Sequence, residues 1–214
     1  IADEGKDKNG FSCRYGFLLQ NVHEWSGIGS DIYASVVKSF GYCDDYSLDE
    51  FRFDEDGLGA GARGDARVIN ELRQAEGRGT ITATPFRGSG SVFDPEDEAV
   101  PGDNGKAARL NKDFFANAKA QSWWHLRKLF RNTFRALNGM DYNPDEIISI
   151  SSEIENIDRL LMELSQPTWS KNAVGKILVD KQPEGTKSPN LADAVMINYA
   201  PMDSSLDIWT KLGA

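Results

Sequence analysis

The spacing of apolar and polar residues over the first part of the chain predicts a β-hairpin followed by a helix. Positions 11–15 and 17–25 are rich in aromatic and β-favouring residues on either side of a glycine, which is typical of two strands joined by a tight turn. The next apolar residues recur at helical spacing. We therefore expect a helix that Ser30 or Asp31 caps and that Gly41 ends.

A strand, a loop, a helix and a second strand follow in that order. Residues 51–54 alternate and stop at an acid, 55–61 are rich in glycine, 65–76 have a helical pattern, and 80–86 favour a strand. This order is typical of a βαβ unit with a parallel strand pair. The expected apolar stripe of the helix is Val68, Ile69 and Leu72. The glycines stand too close together for a dinucleotide-binding loop, which favours a tight crossing from strand to helix.

The second half of the chain begins with a long loop and is then mainly helical in pattern. The predicted elements are a loop over 87–105, a helix over 111–137, a helix over 144–165, a hairpin over 169–181 and a helix over 191–199. There is no internal repeat and no linker between two cores. We therefore expect one domain over 1–214, of the α/β class, with a mixed central β-sheet flanked by α-helices.

Composition narrows the class of protein. The chain has 214 residues, of which 40% are hydrophobic and 27% charged, as in a globular protein. No apolar run approaches the roughly 20 residues that a transmembrane helix needs. The two cysteines, Cys13 and Cys43, are too few for a disulfide framework, which favours reduced thiols in a cytosol.

Charge is distributed unevenly along the sequence. The whole chain carries −9, but the stretch from 106 to 135 has eight basic residues and one acid and so carries +7, which leaves −16 for the rest. A basic surface on an acidic body can hold DNA phosphates, although a solvated helix face would give the same pattern. The basic residues are Lys106, Arg109, Lys112, Lys119, Arg127, Lys128, Arg131 and Arg135.

Acidic residues stand where predicted elements end. Asp54 closes a strand, and Asp193 lies between two alanines on an apolar helix, where an unpaired carboxylate is costly. Asp3 and Asp7 lie in the loop before the hairpin, and Asp56 follows Asp54. Each of these could be a surface residue or a cap. Together, carboxylates at one sheet edge would suit hard divalent cations.

Other chemistries lack their sequence signatures. The chain has two histidines and no HxH or CxxC spacing, which argues against zinc. It has no GxxxxGK[ST] phosphate loop and no GxSxG nucleophile motif. A carboxylate site for divalent cations is therefore the chemistry that the residues favour.

Three segments together resemble the nuclease domain of tailed-bacteriophage terminase large subunits, and their order and spacing match as well. The resemblance covers nearly the whole chain, and residues 119–124 also resemble members of this family. The segments, as they stand in this sequence, are DEGKDKN at 3–9, DEDGLGAG at 54–61 and SPNLADA at 188–194.

The resemblance implies a ribonuclease-H-like fold and a two-metal endonuclease that cuts concatemeric viral double-stranded DNA during packaging. It implies that Asp54 and Asp193 are the second and third metal-binding acids and that Asn190 lies near two Mg²⁺ or Mn²⁺ ions. It further implies that the family's first metal-binding acid either falls one residue before Ile1 or is replaced by Asp3.

The same resemblance carries expectations about the wider protein. It implies that the chain is the carboxyl-terminal part of a longer terminase, without the ATPase motor domain. It also implies portal protein and small terminase subunit as partners, no membrane, and the host bacterial cytoplasm as location.

Two other functions stay open at this point. The first is another ribonuclease-H-like nuclease, such as a resolvase or transposase core. The second is a non-catalytic docking module of the packaging motor, which the acidic body and the long loop over 87–105 would serve.

Overall fold

The computed structural model describes residues 8–28, 31–56, 61–102 and 107–201. Within these ranges no helix is long and apolar enough to cross a bilayer. The strands are β1 (Lys8–Tyr15), β2 (Leu18–Ser26), β3 (Glu50–Asp54), β4 (Thr82–Phe86), β5 (Glu98–Val100), β6 (Arg109–Leu110), β7 (Ser149–Ile150), β8 (Thr168–Lys171) and β9 (Ile177–Asp180). The helices are α1 (Ile32–Asp45), α2 (Ala62–Ala75), α3 (Asn111–Phe114), α4 (Ala118–Leu137), α5 (Ile157–Ser165) and α6 (Asn190–Asn198).

The predicted amino-terminal hairpin is confirmed. Strands β1 and β2 pair antiparallel, with Tyr15 opposite Leu18, so the turn has two residues. The first of them, Gly16, has a φ of 57°, a conformation that glycine adopts without strain in such turns. On its other edge β2 pairs in parallel with β7, which makes a three-stranded mixed sheet.

The predicted βαβ unit is also confirmed, because β3 and β4 pair in parallel with α2 between them. The expected stripe of α2 is wrong in part: Ile69 is buried, but Val68 and Leu72 are exposed. The helix instead buries two alanines, Ala62 and Ala66, against α1. Small side chains let the two helices approach closely, and the hydrophobic pattern alone did not indicate this.

Helix α1 does not stop at Gly41, as predicted, but continues to Asp45. Asp31 caps it by accepting a hydrogen bond from the backbone N–H of Ala34 at 2.7 Å. The longer helix places Cys43 in the core, where it is fully buried. This burial outweighs the cost of a glycine inside a helix, which is roughly 0.5–1 kcal/mol.

The pattern over 111–137 is two helices, not one. It breaks between α3 and α4, where Phe115 forms a β-bridge with Ile177. Asn117 then caps α4 by accepting a hydrogen bond from Ala120 N–H at 2.9 Å. The long loop over 87–105 is also less irregular than expected, because it contains β5, which pairs with β6.

The predicted helix over 144–165 is wrong in its first half, since α5 begins only at Ile157. Residues Ser149–Ile150 form β7, and Asn156 takes a left-handed conformation just before the helix. Ile148 and Ile154 lie on extended or irregular backbone, and their side chains are buried in the core. The apolar residues over 144–165 recur at helical spacing, but pairing with the edge of β2 determined the structure of the first half. The hairpin over 169–181 and the helix over 191–199 are confirmed as β8–β9 and α6.

Two large apolar clusters lie on opposite faces of the β1–β2 hairpin. One contains Phe11 and Cys13 of β1 with residues of α1, α2 and β3. The other contains Leu19 and Val22 of β2 with residues of α4, α5 and α6. The mixed sheet is therefore flanked by helices on both faces, as expected, and α6 lies within the second layer.

A partly buried ionic network fixes the amino-terminal end of α6. Glu163 of α5 accepts hydrogen bonds from the N–H groups of Leu191 and Ala192 at 2.8 and 3.2 Å. Arg159 contacts Glu163 at 3.1 Å and holds Glu24 of β2 through two bonds of 2.6 and 2.7 Å. A negative side chain at a helix amino terminus satisfies the first free N–H groups and complements the helix dipole. The network thus ties β2, α5 and α6 together.

We expect Gly10→Ala to destabilise the protein. A methyl group at residue 10 would overlap the carbonyl oxygen of Asn190, so α6 must move away from β1. The free energy of unfolding should fall by about 1–3 kcal/mol in urea denaturation followed by tryptophan fluorescence. Gly41→Ala is the matched control, because its site is open and helical, and it should be neutral or stabilising. Equal losses of unfolding free energy in the two variants would contradict the close contact between residue 10 and α6.

We expect Arg159→Met to cost about 2–3 kcal/mol at about pH 7, because Glu24 and Glu163 lose their shared cation. Burial raises the pKa of Glu24, but contacts with Lys8 and Arg159 outweigh it and hold the pKa below its ordinary value. A carboxyl group whose pKa is lowered in the folded protein stabilises the fold at pH values above its ordinary pKa. This stabilisation is lost as the pH falls through the pKa of the folded state. The deficit of the variant should therefore shrink at about pH 3.

Urea denaturation at both pH values measures this effect. Arg67→Met, at an exposed position on α2, is the control and should change little at either pH. A deficit that stays constant between the two pH values would show that Arg159 acts by packing alone.

Candidate active site

Asp54 lies at the carboxyl end of β3. Phe51 and Phe53 of this strand are buried in the core, so alternation directs Asp54 to the other face of the strand. Its carboxylate accepts a hydrogen bond from the backbone N–H of Asp56 at 2.9 Å. This bond orients the carboxylate at the point where the chain leaves the sheet.

Asp193 lies in the first turn of α6. Its neighbours Ala192 and Val195 are fully buried, so the helix is anchored on both sides of the acid. The close approach of α6 to Gly10 brings this turn against β1. The side chain of Asp193 is 19% exposed. The fold therefore holds this carboxylate in a largely buried position.

One cleft of about 470 Å³ contains both acids. Asp54 enters it from β3, Asp193 from α6, and Lys181 from the residue that directly follows β9. The Lys181 ammonium contacts one carboxylate oxygen of Asp193, Oδ2. Asn190, also on α6, lines the same cleft. The structure therefore brings together the two acids that the sequence placed on separate elements.

Electrostatics at Asp193 oppose its ionisation. Burial raises the pKa of Asp193, the Lys181 ammonium lowers it, and the Asp54 carboxylate raises it again. Lys119, at the start of α4, lowers it further. The net direction is upward, so an additional positive charge between the acids would favour the ionised form.

The residues present fit a divalent cation. The second carboxylate oxygen of Asp193, Oδ1, is buried and has no hydrogen-bond partner within the described ranges. Such an oxygen beside a second carboxylate is a suitable donor for Mg²⁺ or Mn²⁺. The described residues contain no group of three metal-binding side chains. The predicted ligand Asp3 and its neighbour Asp7 lie outside the described residues.

Two other predicted residues have contacts of their own. Asp56 accepts hydrogen bonds from the N–H and hydroxyl of Ser89 at 2.8 and 2.6 Å, so it anchors the loop after β4. Asn190 donates to Glu24 at 3.5 Å and lies at the junction with the ionic network. Their role near a metal stays a prediction.

The basic residues predicted to bind DNA lie in several environments. Lys112 pairs with Glu96, and Lys128 pairs with Glu146. Arg109 covers the ring of Phe114, with its guanidinium carbon 4.9 Å from the ring centre. Lys106 lies outside the described residues.

The remaining basic residues belong to α4. Arg127, Arg131 and Arg135 are exposed and follow one another at four-residue intervals, so they form one stripe on the helix. Lys119 is half-buried and lies close enough to Asp193 to influence its pKa. Among the described residues of this set, Lys119 alone is linked to the acid pair by its effect on the pKa of Asp193. That the set binds DNA stays a prediction.

Sequence reasoning missed Lys181, whose ammonium group contacts Asp193. Its only signal was a basic residue at the end of a predicted hairpin, a common position for a solvated lysine. Glu163 was also missed, because an acid inside an apolar helix repeat gave no indication that it caps a different helix.

No protein-family model and no curated protein matches the chain. Solved structures do match. One is a lysine-to-alanine mutant of the nuclease domain of the large terminase subunit gp2 of bacterial virus Sf6, with manganese and β-thujaplicinol. It is 31% identical, its TM-score is 0.78, and the match covers 95% of this chain and 86% of that one.

Two further structures of the Sf6 protein agree with this match. The mutant with calcium is 31% identical with a TM-score of 0.77, over 94% of this chain and 86% of the other. The nuclease domain without the mutation is 29% identical with a TM-score of 0.78, over 95% and 86%. Identity and coverage at this level confirm the α/β, ribonuclease-H-like fold class and the resemblance on which it was based. The chain belongs to the nuclease domains of bacteriophage terminase large subunits.

Proposed function

We propose that this domain cuts concatemeric double-stranded viral DNA during genome packaging, with two divalent cations held by Asp54 and Asp193. The observation that carries the proposal is the buried, unpartnered oxygen Oδ1 of Asp193 in a cleft that also contains Asp54. Similar Sf6 structures contain manganese or calcium, which supports a divalent cation here.

The residues of the cleft have distinct parts in this mechanism. Asp54 and Asp193 would hold the cations, which when bound activate water and stabilise the leaving oxygen of a phosphodiester. The hydrogen bond from Asp56 N–H orients Asp54, and Glu163 fixes the helix turn that carries Asp193. Lys181 and Lys119 provide positive charge beside the acids, where a DNA phosphate would approach.

DNA would be held by its backbone rather than by its sequence. The exposed stripe of Arg127, Arg131 and Arg135 on α4 can contact phosphates, and such contacts carry no sequence information. A cut that tolerates many sequences follows from this arrangement. We also propose that portal protein and the small terminase subunit are partners of this domain and that it acts in the host cytoplasm.

The proposed function depends on both acids of the cleft. Asp54→Asn and Asp193→Asn should each reduce Mn²⁺-dependent nicking of plasmid DNA by at least about 100-fold, because each removes a cation ligand. Asp180→Asn is the matched control, since Asp180 is exposed and adjacent to Lys181. It should cut normally, and EDTA should stop cutting in every active sample. Cutting that survives in both acid variants would exclude this site.

The ammonium group of Lys181 occupies space beside Asp193 that a cation would share. Lys181→Met should bind Mn²⁺ about tenfold more tightly in calorimetry without DNA, because a positive charge in contact with Asp193 no longer opposes the cation. Lys187→Met, at an exposed position, should leave the affinity unchanged. Equal affinities in the two variants would mean that Lys181 does not compete with the metal.

A further inference from the structure

A second cavity, of about 350 Å³, lies between α4, α5 and the β8–β9 hairpin. It shares no lining residue with the cleft that contains the acid pair. Most of the side chains that line it are aromatic or aliphatic, and they include Trp123, Trp124, Phe130 and Trp169. Its volume falls within the range of roughly 300–1,000 Å³ that is typical of small-ligand sites. We call it the aromatic cavity.

The tryptophans of the aromatic cavity form an open platform rather than a closed core. The side chain of Trp169 is 53% exposed, and Leu161 beside it is also exposed. The rings of Trp124 and Trp169 meet edge to face, with their centres 5.7 Å apart. In such a pair the faces of one ring stay uncovered by the other. An uncovered aromatic face at an open cavity is suited to stack on another flat ring.

The charge at the aromatic cavity is positive. Among the described residues that line it, Arg127 is the charged one and none is acidic. Its guanidinium carbon lies 5.1 Å from the centre of the Trp124 ring. Arg131 and Arg135 continue the exposed basic stripe from there along α4. On a chain with a net charge of −9, a cationic rim around an aromatic floor favours an anionic ligand that carries a flat ring.

Helix α4 places the aromatic cavity between the acid pair and this basic stripe. Lys119, Trp123 and Arg127 follow one another at four-residue intervals, so they lie along one side of the helix. Lys119 influences the pKa of Asp193, and Arg127 begins the basic stripe about 12 Å farther along the axis. A stacked DNA strand advances about 3.4 Å per nucleotide, so about three or four nucleotides span this distance. A strand that contacts both lysine and arginine therefore crosses the cavity.

The end of β9 also connects the aromatic cavity with the acid pair. Trp169 and Val179 lie opposite each other in the hairpin, and both line the cavity. Lys181, which contacts Asp193, follows Val179 by two residues, so their Cα atoms are at most about 7 Å apart. A nucleotide bound at the acid pair is thus a close neighbour of the cavity.

We propose that the aromatic cavity binds one unstacked nucleobase of the DNA strand whose phosphates meet the acid pair, which rests on the nuclease function proposed above. The base stacks on the exposed tryptophan surface, and Arg127 contacts the adjoining phosphate. The bound base fixes the strand along α4, so that one phosphodiester stays beside Asp54 and Asp193. The tryptophans are positioning residues in this arrangement, because they contact a base and not the bond that is cut.

The path of the strand favours a base over an apolar side chain of a protein partner. Phosphates that lie on Lys119 and on Arg127 bring the bases between them to the cavity without any further molecule. Stacking on the tryptophans offsets the cost of unstacking a base from its neighbours. It also accepts every base, because each has a π-face, so the contact agrees with a cut that tolerates many sequences.

Oligonucleotide binding in EDTA and at low salt tests the proposal without any cutting. The probes are a labelled single strand of about ten thymidines and an abasic sugar-phosphate chain of the same length, followed by fluorescence anisotropy. Trp169→Ala should weaken binding of the thymidine strand at least about fivefold and leave binding of the abasic chain unchanged. Trp169→Phe should retain most of the affinity, because it keeps a ring that can stack.

Phe17→Ala is the matched control, since Phe17 is 55% exposed in the β1–β2 turn and far from the lining of the aromatic cavity. It should bind both probes like the unmodified chain. Arg127→Met should weaken binding of both probes alike, because it removes a phosphate contact and no base contact.

Four results would overturn the proposal. The first is a chain that binds the two probes equally or binds neither. The second is a Trp169→Ala variant that changes the affinity for both probes alike or for neither. The third is a Trp169→Phe variant that loses as much affinity as Trp169→Ala. The fourth is a dimer in sedimentation that Trp169→Ala dissociates while thymidine binding is unchanged, which would make a second copy the occupant.

This test is separate from the test of the acid pair. Base-dependent binding, together with cutting that survives Asp54→Asn and Asp193→Asn, would overturn the proposed cation site and leave the aromatic cavity as a DNA contact. Cutting that both acid variants abolish, without base-dependent binding, would support the nuclease and overturn the role of the cavity.

Discussion

The position of α6 determines whether the candidate site exists, because this one helix contacts both β1 and β3, which belong to different sheets. Its close approach to β1 depends on the absence of a side chain at Gly10, and its amino-terminal turn depends on the carboxylate of Glu163. The same turn carries Asp193. The close packing at Gly10 and the cap from Glu163 therefore both hold in place the helix turn that carries the Asp193 carboxylate.

The site combines a buried acid with cations that only partly neutralise it. Burial opposes the ionisation of Asp193, and Lys181 compensates one of its two oxygens. The other oxygen has no partner among the residues that the structure describes. A carboxylate in such a place is costly unless a ligand is bound for part of the working cycle. A divalent cation between the two acids, as in the proposed mechanism, would remove this imbalance.

The sequence by itself determined the elements whose signals are local. The first hairpin, the βαβ unit, the last helix and the acids Asp54 and Asp193 could all be located from turn residues, periodicity and motifs. Three helix boundaries could not be located in this way. Burial of Cys43 extends α1 beyond Gly41, and the bridge at Phe115 separates α3 from the helix that Asn117 caps. Pairing with the free edge of β2 decides the structure within 144–156. Only the tertiary structure brought Lys181 to Asp193 and Glu163 to α6, since contacts between residues distant along the chain leave no periodic signal.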